Sequence, residues 1–311
     1  MGLARYRRRW AYGGYRCFGM APKKAPTYPA GTLCTSQRKV KNGTGNSFII
    51  SQALATKKVN IALIDTSGQI RPTELSAVGA ALQQQVSRDF APVWGQDAVI
   101  HLFEQAAEIP VGFWPLFIVP KIDVEGVNGY HWIDEAGQPF AKVEYRQDLW
   151  ALTASHELLE MLANPYVNRT QLVKAADTAG QEKIYLIEVA DPVENKDFGY
   201  RIDGVLVSNF YYPSFFDLTK REGVKYDHLG WLTEPRKLLN GGYISWKNAA
   251  GEWWQAFMLE NKLVLRRLGD NTPLTAANQF VIWGWVTGTA VLTLTLLFLL
   301  KLMKRHGNKR R

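Results

Sequence analysis

The chain has 311 residues, of which 47 % are hydrophobic, so it is large and apolar enough to fold around a real core, and disorder throughout is excluded. Its two cysteines, Cys17 and Cys34, are too few for a four-cysteine zinc site. The formal net charge of +9 is unevenly distributed: residues 1–42 hold ten Lys or Arg, residues 301–311 hold six, neither stretch holds an acid, and residues 43–300 are left at −7.

The first predicted segment is a basic, flexible arm over residues 1–57. Its start, ARYRRRWAYGGYRCF, alternates arginines with aromatic side chains, a composition able to bind phosphates and to stack on bases. We expect this arm and the basic tail at residues 301–311 to contact polyanions such as lipid headgroups or nucleic acid. A solvated tail without a partner is the alternative. No apolar stretch follows the basic start, so the arm is not expected to be a secretory signal.

Residues 58–260 are predicted to form one mixed α/β domain. Apolar runs and turn residues predict, in chain order, a strand at 60–65, a helix at 73–90 capped by Thr73, strands at 98–103 and 113–119, a hairpin of 129–132 with 140–145, and a helix over 155–165. A strand and a helix followed by several strands and a second helix is the order found in the first half of zincin domains, the zinc-peptidase fold. The expected fold class is therefore α/β (α+β), with a mixed sheet and a motif-bearing helix.

That last helix carries the most informative motif, SHELLEMLANP at residues 155–165. Residues four apart share a helix face, so the imidazole of His156 and the carboxylate of Glu160 can converge on one metal ion. Glu157 is rotated by about 100° from that line, within reach of a metal-bound water. The pattern is the zinc-peptidase H-E-x-x-H arrangement with glutamate in place of the second histidine. A histidine–carboxylate pair on a half-buried helix is the simpler alternative.

Residues 261–279 are predicted to be a linker to a transmembrane helix. The following stretch, FVIWGWVTGTAVLTLTLLFLL at residues 280–300, is free of charge and long enough to cross a bilayer. We expect a single-pass membrane protein with a C-terminal anchor, in a host membrane or a virion. The basic tail predicts its own end on the cytoplasmic side, whereas no export signal accounts for a large domain on the other side, so the topology stays open.

Several blocks of the central domain resemble a largely uncharacterised family of bacterial and phage proteins with a SHELLEMLADP-type core. The blocks are QVSRDFAPVWG, GYHWIDEAGQPFAKVEY, TASHELLEMLANP and YLIEVADPVENKDFGYRIDGVLVSNFYYPSFF, in that order within residues 58–260. More distantly, they are similar to the phosphate-induced (EXORDIUM-like) proteins of plants. The resemblance implies a zincin-like fold. Related sequences often have cysteines where Ala190 and Val193 stand, so a thiol-dependent role is not expected here.

The resemblance also implies further site residues. The family's H-E-x-x-E falls on His156, Glu157 and Glu160, its G-Y-H on His131, and its downstream acidic block on the carboxylates of Glu188, Asp191 and Glu194. Zinc, or another divalent cation, would be held by His156, Glu160 and a third ligand from Glu188 or Asp191, with Glu157 as the base that deprotonates a bound water. His131 would be a fourth ligand or stabilise an oxyanion. A solvated acidic loop and an ordinary hairpin histidine are the alternatives.

Two classes of function follow. The first is a membrane-anchored, zincin-like metalloprotein, and its expected enzymatic form is a metal-dependent peptidase acting on a protein or peptide substrate. The second is a non-catalytic structural or interaction protein, such as a viral membrane or virion component, whose basic arms contact lipid or nucleic acid. Only the first requires the carboxylate of Glu157.

Overall fold

The computed structural model describes residues 58–124, 126–174 and 181–268, together with the backbone of two strands nearer the N-terminus. The chain divides into two compact units, residues 1–55 and 56–311. In the first unit, strand β1 (Ser36–Lys41) pairs antiparallel with β2 (Ser47–Gln52). The arm that was predicted to be flexible therefore contains a hairpin, whose strands are joined by the glycine-containing residues 42–46.

The second unit contains a five-stranded mixed sheet. One of its interior strands, β3 (Val59–Asp65), has no exposed surface over residues 61–64, because strands pair with it on both sides and its faces are covered. The other strands are β4 (Ala98–Phe103), β5 (Trp114–Val119), β6 (Gly129–Ile133) and β7 (Pro139–Glu144), in the order β4–β3–β5–β7–β6. All neighbours are parallel except β6, which runs antiparallel to β7 and forms one edge.

The helix predicted for residues 73–90 has two geometries. Helix α1 (Pro72–Gln84) begins at a proline, and no side chain caps it, so the prediction of Thr73 as its cap is wrong. Proline fits the first helical position because its ring already holds a helical backbone angle. The chain continues as a π-helical turn over Gln85–Phe90 and as the short helix α2 (Ala91–Trp94), which ends at Gly95.

Helix α3 (Trp150–Ala163) carries the motif and packs against β6 and β7. The strands beyond it are β8 (Thr170–Val173), β9 (Lys183–Leu186), β10 (Tyr200–Ile202), β11 (Val205–Val207), β12 (Tyr243–Asn248), β13 (Trp253–Leu259) and β14 (Lys262–Arg267). Strands β10 and β11 form a small hairpin, and the others form a second five-stranded sheet with antiparallel neighbours in the order β14–β13–β12–β9–β8. The sheet thus extends past residue 260, and the segment predicted as a linker from residue 261 begins with a strand because its apolar residues pair with β13.

The predicted mixed α/β class is confirmed by these two sheets and the helices around them. The predicted transmembrane segment, residues 280–300, lies outside the described residues. Within the part of the chain that the structure describes, no helix combines the length and the apolar character needed to cross a membrane.

Candidate metal centre

Helix α3 carries two carboxylates into the interior of the domain. Glu157 and Glu160 keep only 5 % and 4 % of their surface exposed, while Leu158, Leu159 and Met161 of the same helix are fully buried in the core. Burying a carboxylate costs free energy unless hydrogen bonds or a cation compensate for the lost water. The partners of these two side chains therefore decide what the helix can do.

The predicted convergence of His156 and Glu160 is present. His156 Nε2 lies 3.2 Å from Glu160 Oε2 and 3.2 Å from Asp191 Oδ1. The other oxygen of Glu160, Oε1, accepts hydrogen bonds from the backbone amides of Ala190 and Asp191, at 3.1 and 3.2 Å. These bonds fix the 3₁₀ turn Asp191–Val193 against the helix, so the carboxyl group of Asp191 faces the imidazole of His156.

His131, on the edge strand β6, forms the second half of the cluster. Its Nδ1 lies 3.6 Å from Glu157 Oε2 and 3.9 Å from Glu160 Oε2, and its Nε2 lies 3.6 Å from Glu188 Oε2. These separations exceed the usual hydrogen-bond length. Glu188 follows strand β9, and its other oxygen accepts a hydrogen bond from Asn164 Nδ2 at 3.2 Å.

Several buried polar atoms in this region lack a well-oriented hydrogen bond in the described structure: His131 Nε2, Glu188 Oε2, Tyr211 Oη, and Asp191 Oδ1 despite its 3.2 Å distance from His156 Nε2. Such atoms are uncommon in folded proteins because each loses its water without compensation. The ligand atoms of two groups lie within 4.8 Å of one another, a spacing able to hold a metal ion. The two groups are His131 with Glu157 and Glu160, and His156 with Asp191 and Glu194.

The electrostatics of the cluster also suit a cation. Burial would lower the pKa of His156, but the charge of Glu160 and the contact with Asp191 raise it well above its ordinary value. Burial and the charge of Glu160 raise the pKa of Glu188 and of Asp191 well above the usual carboxyl range. Burial raises the pKa of Glu194 to about 7. The raised pKa values favour the protonated forms of these groups, and a divalent cation would compete with the protons.

The fold brings all the residues predicted for the site into one cluster. Asp191, one of the two residues predicted as alternatives for the third ligand, lies beside His156. Glu188, the other candidate, lies beside His131. Glu194, expected in the same acidic block, joins His156 and Asp191.

Two glycines that sequence reasoning missed allow the cluster to close. A Cβ atom on Gly129, the first residue of β6, would lie 2.7 Å from Thr153 Cγ2 and 2.8 Å from Glu157 Oε1. A Cβ atom on Gly242 would collide with the carbonyl group of Pro192 and lie 3.0 Å from the carbonyl oxygen of Asp191. Only the G-Y-H block gave a sequence signal for Gly129, and nothing in the sequence links Gly242 with Asp191.

Polar side chains also anchor helix α3 at both sides of the motif. Ser155 Oγ donates a hydrogen bond to Gln85 Oε1 at 2.6 Å and accepts one from the amide of Ser208 at 2.9 Å. At the end of the helix, Asn164 Oδ1 accepts hydrogen bonds from the amides of Asn168 and Arg169, at 2.9 and 2.7 Å. The helix is thus held in a fixed position along its axis, which a cluster of converging side chains requires.

Comparison with known proteins gives no further assignment, because no family model, curated protein or solved structure matches the chain significantly.

Proposed function

We propose that the chain is a zincin-like, metal-dependent hydrolase, with peptides or proteins as its substrate class. The observation that carries this proposal is the position of His156 Nε2, 3.2 Å from a carboxylate oxygen of Glu160 and 3.2 Å from one of Asp191, next to a second buried carboxylate on the same helix. An imidazole, two carboxylates and an adjacent free carboxylate are the protein groups that metal-assisted hydrolysis needs.

In this proposal, His156, Glu160 and Asp191 hold the catalytic cation, zinc or another divalent metal. A bound ion would supply Lewis acidity. Glu157 would accept a proton from the attacking water and deliver it to the leaving amine. Two carboxylate ligands donate more negative charge than two imidazoles, so manganese or calcium is tolerated better than in a site with two histidines.

The order of secondary structure and the resemblance to the SHELLEMLADP-type family support the zincin-like assignment. The parallel sheet ends in the antiparallel edge strand β6, which lies against the motif helix α3 and contributes His131. His131 stands opposite Glu157, where it would be a further ligand for a cation or would stabilise negative charge on a substrate oxygen.

The proposal includes the C-terminal anchor. Residues 280–300 carry no charge over a length that spans a bilayer, and a basic tail follows them. The anchor would hold the domain at a host or viral membrane, with lipid as its first partner. The charge of residues 1–42 favours an additional polyanion contact, with lipid headgroups or nucleic acid.

A non-catalytic structural or virion protein is the second candidate, and the concentration of sixteen basic residues in the two terminal segments favours it. In that case, the metal would stabilise the fold, and no group would need to be free for proton transfer.

The substitution Glu157→Gln separates the two candidates. It removes the base, so we expect hydrolysis of a peptide library to fall by about 10²- to 10⁴-fold while the ion held by His156, Glu160 and Asp191 is retained. Peptide cleavage is measured by mass spectrometry with zinc, manganese or calcium added, and metal content by elemental analysis. Glu234→Gln, at an exposed carboxylate paired with Lys237, is the matched control. Absence of cleavage by the unaltered chain with every metal would favour the structural candidate.

A further inference from the structure

The 3.6 Å separation of His131 Nδ1 from Glu157 Oε2 is that of two ligands of a shared cation, whereas the two 3.2 Å separations at His156 fit a cation or a hydrogen bond. Two ligand atoms, each about 2.0–2.2 Å from a zinc ion and at tetrahedral angles, lie about 3.3–3.6 Å apart. The nitrogen–oxygen separations around His131 and His156 range from 3.2 to 3.9 Å. A hydrogen bond between the same atom types is usually shorter, at about 2.7–3.2 Å.

One oxygen atom connects the two halves of the cluster. Glu160 Oε2 is the atom that both imidazoles approach, with His156 Nε2 at 3.2 Å and His131 Nδ1 at 3.9 Å. Glu160 Oε1 is occupied by two backbone amides, which fixes the orientation of the carboxyl group. Oε2 is therefore held between the two groups of potential ligands that surround the histidines.

We infer that the site holds two divalent cations that share the carboxylate of Glu160. The first is bound by His156 and Asp191, with Glu194 completing the group, and the second by His131 Nδ1 and Glu157. This inference rests on the proposed metal-dependent function and adds a second ion to it. Glu157 would be a ligand through Oε2, which lies 3.6 Å from His131 Nδ1, and its other oxygen would accept the proton of the attacking water.

The buried polar atoms behind the His131 ring fit an ion on the other ring nitrogen, Nδ1. With a cation on His131 Nδ1, Nε2 carries the hydrogen and faces Glu188 Oε2 at 3.6 Å, so these two unpartnered atoms orient each other. A carboxylate behind a metal-binding imidazole is a common arrangement because it fixes the ring and strengthens the ligand. Asp191 Oδ1, which also lacks a well-oriented hydrogen bond, belongs to the first ion.

Charge balance favours two ions over one. The cluster contains five carboxyl groups and two imidazoles. If all the carboxyl groups are ionised and the imidazoles are neutral, one divalent cation leaves about three negative charges in the interior and two leave about one. Carboxylate-rich sites in which neighbouring ions share a ligand are well suited to stabilise both the attacking and the leaving atom of a hydrolysis.

The test is titration of the metal-free full-length chain with Mn²⁺, with free and bound ions distinguished by electron paramagnetic resonance. We expect two equivalents in the unaltered chain and one in each of His131→Ala and His156→Ala. His101→Ala is the matched control because His101 contacts Asn60 outside the cluster, and we expect it to retain two. Two ions that share a carboxylate are magnetically coupled, so the spectrum of the loaded protein should differ from that of isolated Mn²⁺.

The possible results separate this inference from the proposed function. One equivalent in the unaltered chain, unchanged in His131→Ala, would overturn the second ion and leave the hydrolase proposal standing. Two equivalents without magnetic coupling would overturn the shared Glu160. No binding at all would overturn both. The titration and spectrum of the unaltered chain decide these points even if a variant fails to fold.

Discussion

At the residue scale, Glu160 combines a structural and a chemical role. One of its oxygens binds two backbone amides of the turn that carries Asp191, and the other faces His156 and His131. The position of Asp191 is therefore set by the same side chain with which it would share a cation. A change that moves this turn is therefore expected to weaken metal binding more than it lowers the stability of the fold.

Gly242→Ala tests this dependence. The added Cβ collides with the backbone of Pro192, which cannot move without the adjacent Asp191. We expect metal affinity to fall by about 10- to 100-fold, as for other changes to groups that orient a metal ligand. The affinity is measured by competition with a chelating dye. Gly199→Ala is the matched control, since its Cβ would lie 2.8 Å from the carbonyl oxygen of Val207 in the hairpin of β10 and β11. Equal affinities of the two variants would contradict the prediction.

Contacts within a single helix could be predicted from the sequence, whereas contacts between segments distant in the chain could not. The helical period alone brings His156 and Glu160 together, so that prediction did not depend on tertiary structure. The choice between Glu188 and Asp191 depends on a turn stabilised by Glu160 itself, which no local pattern encodes. Gly242 was missed for the same reason, because its neighbour Pro192 is distant in sequence.

At the element scale, helix α3 is positioned by hydrogen bonds near its centre and at its end. The bounds of β4, an apolar run between polar turns, were predicted without error at residues 98–103. The π-helical turn over residues 85–90 was not predicted, since its residues continue the α-helical pattern. Its placement turns Gln85 toward Ser155 and Ser208, contacts that local sequence cannot supply.

Replacement of Asn164 tests the end of this helix. Asn164→Ala removes the acceptor for the amides of Asn168 and Arg169, so we expect a loss of about 1–3 kcal/mol in the free energy of unfolding by urea. Asn164→Asp retains the acceptor and should lose less in acid, where the raised pKa of Glu188 favours its neutral form and reduces its repulsion of the new carboxylate. An Asp variant as unstable as the Ala variant would show that these backbone contacts contribute little.

At the scale of the whole molecule, the cluster makes the stability of the metal-free protein depend on pH. The pKa of Glu194 is about 7 in the folded state and ordinarily 4.5. A raised carboxyl pKa contributes stability that is fully present below the ordinary value and is lost as the pH rises through the folded value. We therefore expect the metal-free chain to lose stability relative to Glu194→Gln between about pH 4.5 and 7, as measured by urea unfolding in the presence of a chelator.

Addition of the metal should abolish this difference, because the cation replaces the proton on the carboxyl group. For the control variant Glu234→Gln, at an exposed position, the difference in stability from the unaltered chain should not change in this way with pH. A difference between the unaltered chain and Glu194→Gln that is constant across this range would be evidence against a raised pKa.

The proposed anchor is also a property of the whole chain. We expect the full-length protein to float with phospholipid vesicles in a density gradient after washing in high salt and alkaline carbonate, and a chain that ends at residue 279 to remain at the bottom. A chain that lacks only residues 301–311 should still float, because the apolar stretch and not the basic tail provides insertion. Release of the full-length chain by salt would limit its membrane contact to surface charge.

The hydrogen bonds from Ala190 and Asp191 to Glu160 connect positions about thirty residues apart. Cations that bind the same groups would act as a removable cross-link that closes the segment containing β8 and β9 into a loop, and closing a loop restricts the unfolded chain. Local opening of this segment and release of the ions would then be one event. Chelation would thus loosen one region of the domain and leave the parallel sheet intact.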